Sequence, residues 1–69
     1  MNPISTTYRG ADIIFEVRNP EEGHFYAEGT VLSKIVGELR VRSGRCTSYE
    51  EANQKLLQCA QTLIDEAQS

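Results

Sequence analysis

The chain has 69 residues, 39% hydrophobic and 25% charged, which is enough for one small core and too little for a second core or a separate substrate domain. Its formal charge of −3 excludes the overall basic footprint of a nucleic-acid binder. No apolar run of about 18 residues and no charged start leading into an apolar stretch occurs, so the expectation is a cytoplasmic protein with neither a membrane span nor a secretory signal.

The first seven residues either extend the first strand or fray. That strand is expected over residues 8–18. Within it Ile13, Phe15 and Val17 alternate with Asp12, Ile14, Glu16 and Arg18, the period of a half-buried strand. Asn19-Pro20-Glu21-Glu22-Gly23 supplies turn chemistry, proline presetting φ and glycine accepting a positive one.

A second strand is expected over residues 24–35, with Phe25, Ala27 and Val31 on one face and Tyr26, Glu28, Thr30 and Leu32 on the other. Gly29 in its middle is a bulge signal, and a bulge would exchange the facing of everything after it. Val31 and Leu32 are therefore both open as the inward residue. Val36-Gly37 closes a second tight hairpin. The third strand, over residues 38–46, alternates Glu38, Arg40 and Arg42 with Leu39 and Val41. Loops this short cannot make parallel crossovers, so the strands form an antiparallel meander.

A helix is expected over residues 48–67. Ser48 with Glu51 three residues later is a capping-box pattern, each side chain satisfying a backbone N–H left orphaned at the helix start. At 100° per residue, Tyr49, Ala52, Leu56, Ala60, Leu63 and Ala67 fall within about 80° of arc, with Cys59 and Ile64 at its margins. Asn53 is the one polar residue inside the arc. A small sheet with one apolar face needs a cover and this helix is the only candidate. The fold class is thus α+β, a three-stranded antiparallel meander packed against one C-terminal helix, in the order βββα.

Tyr8-Arg9-Gly10 before an alternating strand, a turn leading to Phe25-Tyr26-Ala27, then Ser48-Tyr49-Glu50-Glu51-Ala52 and a helix ending in Ile64-Asp65 resemble a group of small bacterial βββα domains of unknown function. A second resemblance is to HicB-type antitoxins, carried by Glu22-Gly23-His24-Phe25-Tyr26-Ala27 and by the helix start from Thr47 to Ala52. It implies, as an alternative function, an antitoxin or nucleic-acid-linked regulator.

The residues themselves carry no catalytic pattern. His24 is the single histidine, and two cysteines with scattered carboxylates do not make a ligand set. Cys46 and Cys59 are separated by about 16 Å of helix rise, too far for a disulfide, and are expected as free thiols. Glu21-Glu22 belongs to a turn and Glu50-Glu51 to a helix first turn, where acidic residues suit the macrodipole. No glycine pattern matches a phosphate loop.

The expectation is a non-enzymatic chain without cofactor or metal, acting as a protein-interaction or homodimerisation module. Its candidate surface is the sheet face away from the helix: Ile14, Tyr26, Arg40 and Arg42. Apolar, aromatic and arginine side chains together have the composition of an interface centre. The expected partner is another protein, itself included, rather than a nucleic acid or a membrane.

Overall fold

The computed structural model describes residues 3–68; Met1, Asn2 and Ser69, including the first two residues of the expected frayed segment, lie outside it. The order is β1 (Ile4–Tyr8), β2 (Ala11–Glu21), β3 (His24–Ser33), β4 (Gly37–Arg42) and α1 (Tyr49–Gln68). The four strands form one antiparallel sheet in sequence order, β1-β2-β3-β4. The helix covers one face of it. No described helix is long and apolar enough to cross a membrane.

The expected three strands are therefore four. Residues 4–8 neither fray nor lengthen the following strand; they fold back on it, pairing Ile4 with Phe15 and Tyr8 with Ala11. The hairpin closes on two residues, Arg9 at φ 51 and Gly10 at φ 84. Two positive φ values in a two-residue loop match the right-handed twist of the flanking strands. Asparagine or aspartate usually precedes the glycine there, and an arginine in its place hides the turn from a sequence reading.

The second strand runs through the expected turn and ends at Glu21, leaving Glu22 and Gly23 as the loop. Between Arg18↔Tyr26 and Glu21↔His24 the register shifts. Asn19 and Pro20 stand there against Phe25 alone, a bulge that accommodates a proline with no N–H to give. Phe25 bonds in the opposite direction, its N–H to the Cys46 carbonyl at 2.9 Å while it accepts the Cys46 N–H at 2.7 Å. A short continuation of β4 thus clamps the sheet beyond Arg42, with Ser43 Oγ accepting the Ala27 N–H at 2.8 Å.

Gly29 is not the bulge. It lies in unbroken register opposite Phe15 on one side and Val41 on the other. The facing of β3 is therefore preserved along its length. Val31 is buried and Leu32 is exposed.

The core is Ala11, Ile13, Phe15 and Val17 from β2, Ala27 and Val31 from β3, Val41, Cys46, and Ala52, Leu56, Ala60 and Ile64 from the helix. The helical members recur every four residues. Four steps of about 100° overshoot a full turn by about 40°, so the buried line precesses by about 120° from Ala52 to Ile64. A helix laid across a twisted sheet buries such a moving stripe rather than a fixed arc. The fixed arc therefore misplaces the ends: Tyr49 and Ala67 are exposed, Leu63 is only partly buried and Ile64 is central. Asn53 is partly buried at the rim.

The helix start follows the sequence pattern. Ser48 Oγ accepts the Glu51 N–H at 3.1 Å, and Glu51 Oε1 reaches back to the Thr47 N–H at 3.0 Å, one residue before the usual position. The far end is tied to the first hairpin. Asp65 accepts the Tyr8 hydroxyl at 2.9 Å and Arg9 Nη1 at 2.8 Å, and Gln68 donates to the Arg9 carbonyl at 2.9 Å.

The Arg9 guanidinium, and after it the Tyr8 hydroxyl, hold the Asp65 carboxyl below its usual pKa. A depressed folded-state pKa contributes stability that is complete above the unfolded-state value, about 3.9, and is lost as pH falls through the folded value. Asp65→Asn is accordingly expected to destabilise the protein at neutral pH and to narrow its gap from the parent in acid. Melting curves at neutral and acidic pH check this; a gap that does not change with pH contradicts it.

Candidate functional site

Cross-strand rows order the sheet face opposite the helix. Ser5, Ile14, Thr30 and Arg40 are successive Cα partners in one row; Glu16, Glu28 and Arg42 form the next, and Arg18 with Tyr26 the third. These residues alternate with the core positions of the same strands, which is why they share the outer face. Ile14 is 38% exposed.

A groove of about 610 Å³ runs over this face, lined among others by Pro3, Ile14, Glu28, Thr30, Arg40 and Arg42. Three of the four expected surface residues thus meet in one depression. Tyr26 does not line it. It stands between a hollow of about 210 Å³ shared with His24, Arg42 and Arg45 and another of about 510 Å³ beside Arg18 and Pro20. Its ring lies 5.9 Å from that of His24 at 47°.

Ion pairs order the floor of the groove. Arg18 Nε meets Glu28 Oε1 at 2.8 Å, Arg18 Nη2 meets Glu16 at 3.1 Å, and Arg42 reaches Glu28 Oε2 at 3.4 Å. Hydrogen bonding from Arg18, and more weakly from Arg42, holds the Glu28 carboxyl below its usual pKa. Each pair is substantially exposed, so its contribution to stability is small. Its effect is positional, since Arg18 and Arg42 are fixed from two sides of one carboxylate. Arg40 enters no hydrogen bond or ion pair among the described residues and is free to meet a ligand.

Glu16, Arg18, Glu28 and Thr30 are among the members of this site that the sequence reading did not single out, although strand alternation places all four on the outer face. The Tyr8, Arg9 and Asp65 cluster had no such signal, because its parts lie 56 or 57 residues apart. It ties the first hairpin to the end of the helix.

Neither cysteine belongs to the groove: Cys46 is buried in the core, Cys59 is exposed on the helix, and both are free thiols. His24 Nδ1 lies 3.5 Å from the Glu21 carboxylate. Among the described residues no three His, Cys, Asp or Glu side chains are placed to hold a metal ion. The face brings together an aliphatic side chain, Ile14, an arginine unpaired among the described residues, Arg40, and two arginines, Arg18 and Arg42, that share the Glu28 carboxylate. Comparison of the chain with family models, with curated proteins and with solved structures gives no match.

Proposed function

We propose that this chain is a non-enzymatic protein-binding module and that its working surface is the outer sheet face. The observation that carries the reading is the groove in which half-exposed Ile14 lies beside Arg40 and Arg42, Arg40 having no side-chain partner among the described residues. Apolar burial at the centre supplies affinity, and arginine at the rim supplies orientation and selectivity for a partner with acidic or carbonyl-rich edges. The helix packs on the other face and leaves this one open.

Affinity enrichment from the native cells with tagged parent and tagged Ile14→Glu tests this. The variant changes an exposed residue and should melt within about 0.5 kcal/mol of the parent. Proteins retained by the parent should be lost from the variant, and retention should persist at high salt, where phosphate-driven binding of nucleic acid would weaken by orders of magnitude. An identical set of retained proteins from both forms contradicts the assignment of the face. Nucleic acid released by salt would favour the regulator reading instead.

A further inference from the structure

The sheet ends on two edge strands, and β4 is the one whose free edge carries complementary chemistry. The Ser43 N–H donates to the Ala27 carbonyl at 2.9 Å. By the alternation of an antiparallel ladder, Val41, Leu39 and Gly37 therefore turn their backbone groups toward β3, and Glu38, Arg40 and Arg42 turn theirs outward, where no strand of the described residues meets them. Neither Glu38 nor Arg40 has a side-chain partner among the described residues. On the helix side of the same strand Leu39 is 36% exposed, and Ile35 in the preceding turn is 63% exposed. The opposite edge, β1, offers Ser5 and Thr7 on the outer face and no charge.

We propose that two copies of this chain pair their β4 edges about a two-fold axis beside Leu39, forming one continuous eight-stranded antiparallel sheet. The inference rests on the reading of the sheet as a protein-binding surface and names a second copy as one occupant of its edge. Charge fixes the register. With Leu39 opposite its own symmetry mate, Glu38 faces Arg40 of the partner subunit and Arg40 faces Glu38 of the partner subunit, so both unpaired charges are matched. These two pairs are of the hydrogen-bonded type, each exchanging two backbone bonds. The central leucine pair is of the closer type, with Cα atoms about 4.5 Å apart and side chains in contact. A register centred on Arg40 would set two arginines face to face, which is unfavourable. The two-fold contact uses one patch on both copies and closes at two, whereas pairing β1 with β4 is head-to-tail and would build a ring or a filament. In the closed dimer the two outer-face grooves lie side by side on one sheet.

Sedimentation of the parent and four variants tests the proposal. The parent is expected to be a dimer at micromolar concentration. Glu38→Arg or Arg40→Glu alone puts two like-charged pairs into the interface and should weaken association by about a hundredfold or more. The double variant Glu38→Arg/Arg40→Glu restores both pairs and should return to within about tenfold of the parent. Ile14→Glu, on the outer face, should leave the dimer unchanged whether or not it loses a captured protein, so the edge and the face are read separately. A monomeric parent, a double variant as weak as the single ones, or a dimer lost on Ile14→Glu would each overturn the edge pairing.

Discussion

Gly29→Ala is expected to abolish the fold, although exchanging a mid-strand glycine for alanine ordinarily stabilises a chain by about 0.4–1 kcal/mol. A Cβ built at position 29 would overlap the Ile14 carbonyl oxygen and stand 2.5 Å from Phe15 Cβ. Directly opposed Cβ atoms normally lie about 4.5–5.5 Å apart, so β2 and β3 approach here as only a glycine allows. The obstruction is backbone. No rotamer change relieves it, and the ladder would have to open at the centre of the sheet. Overpacking costs about 1–3 kcal/mol even where side chains can move aside, and a core this size supplies only about 3–5 kcal/mol. Removing the neighbouring ring with Phe15→Ala should not rescue the variant, because the Ile14 carbonyl remains. Circular dichroism and urea titration decide the matter, and a Gly29→Ala protein that unfolds at the parent's midpoint contradicts the close approach.

The second large effect is expected at Leu56. It is fully buried, between Ala52 and Ala60 on the precessing stripe. Truncation to alanine should cost about 2–5 kcal/mol through lost transfer energy and the cavity left behind, most or all of the domain's margin. Leu63→Ala should cost distinctly less, because Leu63 is only partly buried. Ile64→Ala, by contrast, should rank with Leu56→Ala. A fixed apolar arc orders the last two the other way, favouring Leu63 over Ile64. Denaturation midpoints of the three variants therefore distinguish a moving stripe from a fixed one.

That reversal shows where the sequence was legible. Period-two alternation assigned the inward faces of β2, of β3 as far as Gly29 and of β4, because facing depends only on parity, and parity survives small errors of boundary; beyond Gly29 the bulge signal left Val31 and Leu32 both open. The helix start was legible for a similar reason, since capping is a local exchange between Ser48, Glu51 and nearby N–H groups. Elements defined by distant partners were not. The β1 strand depends on a left-handed arginine at position 9 that no common turn pattern announces. The rotation of the buried helix line depends on sheet twist, a property of four strands together.

The candidate surface divides along the same line. Ile14, Arg40 and Arg42 share a face by parity, which the sequence shows, and share a groove by register, which it does not. Tyr26 shares the face but stands two rows from Ile14, outside the groove. Register, and with it the bracing of Glu28 between Arg18 and Arg42, comes from the hairpin loops and the bulge at Asn19-Pro20. Neither the arginine-led first turn nor that bulge was readable from residue types alone.

The central claim is that the outer sheet face is where this chain meets another protein. Its most direct test is a photo-crosslinking amino acid installed in living cells at position 14 in the groove and, as control, at position 58 on the exposed side of the helix. The account predicts a discrete protein adduct from position 14 that is absent from position 58. Adducts at position 58 alone, or a position 14 that captures nothing when a folded and abundant protein is illuminated, would contradict it.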